Sequence, residues 1–568
     1  MRAGGCRISM RFGRLTIVAM LIGALCAAPI VSVFFNLFAA GTPGIWQHLA
    51  QTVLPEYTAN TLGLLIGVGA GVIAVGVGAA WLTAMHEFPG RRTYEWALIL
   101  PLAMPAYVIA FVYTDLLQFV GPVQTWLRGL TGWSKADYWF PDVRSLGGAI
   151  VMFIFVLYPY VYLLARGAFL ERSASMLEAG RTLGLGNTAI FLRVALPLAR
   201  PAVVAGTALA LMETIADFGA VSYFGVPTFT TGIYQAWFSM GERVVAAQLS
   251  ATLLGFVILV LLLERLSRGR KRFHETSQRT RAPSRVRLTG VSAAAATSLC
   301  AVPFILGFLL PAGLLLRMTV GEGDTQLGPR FLQLAANSVT LAALTAALLV
   351  VLALLMAYNA RLHPGMFSVN LNRVAGLGYA VPGLVIAVGT LIPLAWLDNA
   401  LDAWMRASFG ISTGLLLTGG IVALVMAYVV RFFSIGLQTV DASLEKVRPS
   451  MEDAARSLGC GPVETLARIH VPIMARGLFT AALLVFVEVM KELPATLVMR
   501  PFNFDTLATQ VYTLANDERL AEASTAALAI VVVGVIPLIA ISRNIARARR
   551  VTGAELMPRP PAPEPAVR

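Results

Sequence analysis

The sequence predicts an all-α fold: a polytopic membrane protein of about 12 transmembrane helices in two tandem homologous six-helix halves. Three observations carry this. Of 568 residues, 57% are hydrophobic and only 13% charged, with mean hydropathy +0.74, whereas a soluble domain carries about 25% charge. Apolar runs of roughly 20 residues, the length that crosses a bilayer, alternate with short polar segments. The stretch 178–201, EAGRTLGLGNTAIFLRVALPLARP, returns at 453–476 as DAARSLGCGPVETLARIHVPIMAR. Gly184, Arg193 and Pro197 match Gly459, Arg468 and Pro472, and a repeat at about half the chain length marks the duplication of a whole domain.

A formal charge of +14 raises the question of nucleic acid. The Lys and Arg residues lie between apolar runs, however, as the positive-inside rule requires, so no nucleic-acid partner is expected. Cys6, Cys26, Cys300 and Cys460 are too far apart to suggest a disulfide frame or a thiolate metal site, and the five histidines are equally scattered.

Taken in order, four arginines precede an apolar run at 15–38, too long for a signal-peptide core and read as an uncleaved first span with its N-terminus inside. The second span, 60–85, carries Gly63, Gly67 and Gly71 at four-residue spacing, which lets a neighbouring helix come close. The third, 96–119, holds Pro101 and Pro105 and is expected to begin irregularly. Trp126, Trp133, Trp139 and Phe140 follow in a segment suited to the outer membrane interface. Spans at 146–170, 201–224 and 246–263 complete the first half.

Nine arginines and lysines between Glu264 and Gly290 make a basic, cytosolic linker. The second half then places spans at 293–318, 334–359, 374–397, 413–437, 477–499 and 523–541. Its Ala336-Asn337-Ser338, Pro364-Gly365 and Pro382 match Ala59-Asn60-Thr61, Pro89-Gly90 and Pro105. The expected division is a first domain at 1–266, a linker at 267–292, a second domain at 293–550 and a Pro-rich disordered tail at 551–568. Twelve spans place both termini and both repeated loops on the cytoplasmic side.

Within each repeated loop, small residues followed by Gly predict a short helix, a sharp turn and a second short helix ending at Pro, a compact knob. The pattern resembles the EAA loop, EAA-x3-G-x9-I-x-L-P, of the binding-protein-dependent permeases of ABC importers. The first copy supplies Glu178, Ala179, Gly180, Gly184, Val194, Leu196 and Pro197; the second supplies Asp453, Ala454, Ala455, Gly459, Ile469, Val471 and Pro472. The resemblance implies a type I importer permease of the bacterial inner membrane whose two knobs dock into two copies of a cytosolic ATPase. Lys135, Lys271, Lys446 and Lys491 are the only lysines and none follows a glycine, so this chain has no Walker A loop. No catalytic residue or bound cofactor is expected in it; ATP and Mg belong to the partner subunits.

Glu213 and Asp217 in the fifth span, with Glu488 and Glu492 in the eleventh, place carboxylates where they are expensive and therefore functional by default. Spaced by four, each pair is expected to share a helix face, lining a translocation path that favours a hard cation; structural pairing, for example with Lys491, is the competing role. The stretches 212–238 and 489–512 look like those of fused permeases from ferric-iron importers. That resemblance implies uptake of Fe(III) from a periplasmic ferric-binding protein, with the four carboxylates as transient metal ligands. Thr231 with Thr506 and Gln235 with Gln510 mark outer segments that either dock that protein or anchor at the interface through Trp237 and Tyr512. Thiamine or polyamine permeases, an ion-gradient-driven secondary transporter and a non-pumping pore are the rival readings.

Overall fold

The computed structural model describes residues 14–39, 44–172, 180, 182–268, 285–321 and 327–555. Among the described residues, twelve helices are long and apolar enough to cross a membrane. In the first half they are α1 (Arg14–Asn36), α2 (Leu54–Met85), α3 (Ala106–Leu117, extended by Pro122–Thr131), α4 (Leu146–Arg172), α5 (Leu196–Ala216) and α6 (Arg243–Arg268). In the second they are α7 (Gly290–Gly321), α8 (Pro329–Leu362), α9 (Gly383–Phe409), α10 (Val422–Leu444), α11 (Val471–Met490) and α12 (Leu520–Glu555). The only strands among the described residues are His86–Glu87 and Val286–Arg287, paired in parallel.

The predicted glycine stripe on α2 is a row of holes for α4. A Cβ at Gly63, Gly67 or Gly71 would meet Leu146, Ile150 or Ile154, which share the same four-residue spacing. Knobs and holes in register bring the two backbones together without polar groups.

The first span of each half packs on the other half. On α9, a Cβ at Gly389 would lie 2.3 Å from the Pro29 carbonyl oxygen of α1. On α7, a Cβ at Gly307 would lie 2.3 Å from the Phe155 oxygen of α4, and Tyr113 of α3 donates its hydroxyl hydrogen bond to the Leu306 carbonyl. The two halves are therefore exchanged at their first helices and share one core.

Several helix ends differ from expectation for local reasons. A 3-10 turn, Leu100–Ala103, leads to Met104 in an extended conformation and Pro105 as the N-cap of α3; Gly376–Ala380, Val381 and Pro382 repeat this before α9. Proline forces the residue before it out of the helical region, so α3 begins at 106 rather than 96 and α9 at 383 rather than 374. Pro197 and Pro472 do not end a short helix as predicted. Each sits inside a continuous helix just after a π turn, Phe191–Ala195 or Leu466–His470, and Pro311 follows Ile305–Leu309 in the same way. The wider turn absorbs the ring and the missing N–H that would otherwise break the helix.

The basic linker is not free throughout. Val286–Arg287 pairs with His86–Glu87, Leu288 N–H donates to the Glu87 carbonyl at 2.9 Å, and α7 starts at Gly290. Beside this strand Glu95 pairs with Arg91 and Arg166, both at 2.6 Å. Burial raises its carboxyl pKa, but the two guanidiniums outweigh burial and hold it below the usual range. Helix α12 runs to Glu555, past the expected domain limit, and the prolines 558–565 lie outside the described residues.

Gly389→Val should push α1 off α9 and destabilise the protein by about 1–3 kcal/mol, whereas Gly78→Ala, with nothing within 4 Å of the new Cβ, should leave it unchanged. Thermal unfolding of the detergent-purified chain measures both.

Candidate functional site

Helices α5 and α11 stop at membrane depth. Helix α5 ends at Ala216, Asp217 is extended, and a short helix restarts at Gly219–Tyr223; α11 ends at Met490 and restarts at Pro494–Met499. Asp217 Oδ1 accepts from the backbone N–H of Ala220 at 2.9 Å and Val221 at 3.1 Å. Glu492 accepts from Ala495 N–H at 2.9 Å, Thr496 N–H at 3.1 Å and the Thr496 hydroxyl at 2.7 Å. These two carboxylates cap the restarted helices, satisfying donors that water cannot reach. Each is thus not on one helix face with its neighbour four residues before, as the spacing suggested, because the helix has already unwound.

All four predicted carboxylates nonetheless line one cavity of about 110 Å³ between the halves, together with Tyr160, Arg431 and Lys491. That is space for several waters or a small ion. Glu213 accepts a hydrogen bond from the Tyr379 hydroxyl across the half-to-half interface at 3.2 Å. Lys491 pairs with Glu488 at 2.8 Å, and Arg431 with the buried Glu492 at 3.3 Å. Four acidic against two basic side chains leave a formal excess of two negative charges. Among the described residues no three His, Cys, Asp or Glu side chains converge as a metal ion requires. The four carboxylates by themselves are therefore not a ligand set: Asp217 and Glu492 are committed to backbone.

Arg431, Tyr160 and Tyr379 were missed in the sequence. Arg431 was legible, since a lone arginine inside the apolar run 413–437 is as expensive as a carboxylate there. The tyrosines carried no signal, being ordinary in an apolar span.

The repeated loops form hairpins between α4 and α5 and between α10 and α11. Six crossings separate them, so they emerge on the same face. Glu178 and Ala179 lie outside the described residues. Gly180 is buried, while Gly184 and Gly459 turn the chain at φ 76° and 83° with nothing beside them, a conformation that glycine adopts without strain. In the second copy Asp453 and Ala454 are exposed on Pro449–Ser457, Ala455 is buried, Ile469 lies in the π turn, and Asp453 pairs with Arg456 at 2.6 Å. Leu196 and Pro197, like Val471 and Pro472, open the following span. Leu183 and Leu458, just before the turn glycines, are 80% and 84% exposed. The two leucines hold the same exposed position in the two copies. The second hairpin is braced on α8: Arg361 pairs with Glu452 at 2.9 Å and donates to the Leu444 and Val447 carbonyls, and Tyr358 donates to the Pro462 carbonyl at 2.8 Å.

The outer segments match in a different register from the one read in the sequence. Phe229–Phe238 and Leu507–Asn516 are N-capped by Thr228 and Thr506, so Thr506 corresponds to Thr228 and not to Thr231, and Gln510 not to Gln235. The connection before the second helix is longer, which shifts the match. The repeated asparagines tether these helices: Asn60 donates to the Pro227 carbonyl and Asn337 to the Asp505 carbonyl, each at 2.9 Å. Tyr512 is buried beside Phe111 and Phe218 and does not anchor at an interface.

Residues 72–272 and 349–551 match the family described as binding-protein-dependent transport system inner membrane component. The chain belongs to this family. It is a multi-pass transport permease of the type I fold, with the family domain present twice. It is 27% identical over 533 residues to the Fe(3+)-transport system permease protein FbpB 2 of Haemophilus influenzae, covering 93% of this chain and 98% of the relative. It is 29% identical over 230 residues to the molybdenum transport system permease protein ModB of Escherichia coli, covering 38% of this chain and 96% of ModB. Over 207 residues it is 28% identical to the sulfate transport system permease protein CysW of Escherichia coli, covering 36% of this chain and 68% of CysW.

Arg431→Met should destabilise the permease by about 3 kcal/mol or more, because it leaves Glu492 charged and buried. Adding Glu492→Gln should recover at least about 1 kcal/mol of that loss. Chemical unfolding of the two single variants and the double variant measures the difference.

Proposed function

We propose that the chain is the membrane-spanning subunit of an ATP-driven importer that takes up Fe(III) handed over by a periplasmic binding protein. The observation that carries the cargo assignment is the central cavity, where four carboxylates face two cations. A surplus of anionic oxygen suits a hard multivalent cation and repels an oxyanion. The full-length match to a ferric permease agrees with it, whereas the molybdate and sulfate permeases each match about a third of the chain. Glu213 and Glu488, which cap no helix, are the carboxylates free to meet the cargo as it passes.

ATP hydrolysis belongs to separate subunits, two copies of a cytosolic ATPase, one for each hairpin. Leu183 and Leu458 enter grooves on those subunits, and the bracing of the second hairpin on α8 helps carry their closure into α11. The hairpins and both chain ends lie on the cytoplasmic side of a bacterial inner membrane, and the binding protein docks on the opposite face.

Reconstituted with its ATPase and binding protein in liposomes, the permease should accumulate ferric iron only when ATP is supplied. Glu213→Gln with Glu488→Gln should lower that uptake by about tenfold or more while the ATPase still co-purifies. Uptake driven by an ion gradient without any ATPase would make the chain a secondary transporter, and accumulation of molybdate, sulfate, thiamine or a polyamine in place of iron would replace the cargo. Leu183→Asp with Leu458→Asp should abolish ATPase co-purification at unchanged thermal stability; full recovery of the complex would remove the coupling role of the hairpins.

A further inference from the structure

The cavity holds more oxygen than its carboxylates. Tyr160 of α4 lines it, and Tyr379, in the turn before α9, donates its hydroxyl hydrogen bond to Glu213 at 3.2 Å. Glu488 lines the same cavity as Tyr160 and Glu213, and Tyr379 joins them through its hydrogen bond to Glu213. Two phenols and two carboxylates, drawn equally from the two halves, are therefore gathered at the cavity. None of the four caps a helix, and among the described residues the only cation bound directly to any of them is Lys491, on Glu488.

We propose that Tyr160, Tyr379, Glu213 and Glu488 form a transient coordination station for a trivalent hard metal ion in transit, with phenolate oxygen as the ligand that distinguishes Fe(III) from divalent ions. The proposal rests on the ferric-import reading and names the atoms that would hold the cargo. Anionic oxygen is the donor that a small, highly charged cation prefers, and phenolate is an established ligand of ferric iron. On coordination each phenol gives up its proton to water in the cavity and forms an Fe–O bond; iron stays ferric, so no reductant is needed. Glu488 exchanges the ammonium of Lys491 for the metal, and the lysine takes the carboxylate back when the metal leaves. A tethered cation of this kind keeps the site from binding its cargo too tightly to release it. The station is assembled only while the halves are together, because Glu213 and Tyr160 come from one and Tyr379 and Glu488 from the other.

The test uses the full chain in lipid nanodiscs with its ATPase subunits, loaded with ferric nitrilotriacetate and freed of unbound iron. A ferric phenolate absorbs visible light by charge transfer from oxygen to iron, a signal that carboxylate-bound iron lacks. The wild-type complex should show this absorption. Tyr160→Phe and Tyr379→Phe should each diminish it and the double variant abolish it, with iron retained per complex falling by about tenfold. Tyr223→Phe, outside the cavity lining, should change neither. Lys491→Met should increase iron retained and slow its release. Bound iron without the visible absorption, absorption that survives in the double variant, or no bound iron at all overturns the station. If liposomes of the same preparation still import ferric iron, the transport reading survives that loss; if they do not, both fall.

Discussion

A helix that stops inside a membrane must find partners for the backbone groups it frees, and this constraint governs the centre of the molecule. Water cannot satisfy them there, and an unpaired buried N–H costs about 1–3 kcal/mol. Helices α5 and α11 break at equivalent points, and in both the chain supplies its own remedy: the Asp217 and Glu492 carboxylates cap the helix that resumes a few residues later. The breaks open space between the halves, and the caps bring anionic oxygen into it. A polar cavity in an apolar protein follows directly from the way the backbone is repaired.

The duplication then makes the two sides of that cavity similar but not equal. Glu213 corresponds to Glu488 and Asp217 to Glu492, so both halves bring the same acids. The cations come from one half alone. Lys491 stands where the first half has Ala216, and Arg431 stands where it has Leu157, at the same distance before the repeated Leu170-Glu171-Arg172 and Leu444-Glu445-Lys446. Tyr379 in turn occupies the place of Leu102, each three residues before its matching proline. Two-fold symmetry of the acids alone would gather four like charges in a low-dielectric space, where their repulsion is large. Substitutions confined to the second half relieve it.

Most of this plan was legible in the sequence wherever a single residue type had one physical meaning. Gly63, Gly67 and Gly71 announced a close helix contact, Pro105 and Pro382 an interrupted helix, and Gly184 and Gly459 a sharp turn, which the structure makes with both glycines at positive φ. What escaped depended on the third dimension. The spacing of Glu213 and Asp217 implied a shared face because helix continuity was assumed, yet Asp217 competes with that helix by capping the next one. Pro197 and Pro472 read as the ends of short helices because a π turn leaves no mark on sequence periodicity. The match of Thr231 with Thr506 failed because the outer connection differs in length between the halves.

Two kinds of contact between the halves differ in what could replace them. The exchanged helices α1 and α7 lie backbone to backbone against α9 and α4, at Gly389 with Pro29 and at Gly307 with Phe155. Contacts of that closeness are all-or-none and resist sliding. At and beside the cavity the links include side-chain hydrogen bonds, Glu213 with Tyr379 at 3.2 Å and Ser222 with Tyr512 at 3.3 Å, next to the aromatic contacts of Tyr512 with Phe111 and Phe218. Each is worth about 0.5–3 kcal/mol, and in an opened, wetted cavity water would replace much of that. The hydrogen bonds at the cavity are therefore the contacts between the halves that water can replace, whereas the backbone contacts of α1 and α7 at Gly389 and Gly307 have no such substitute.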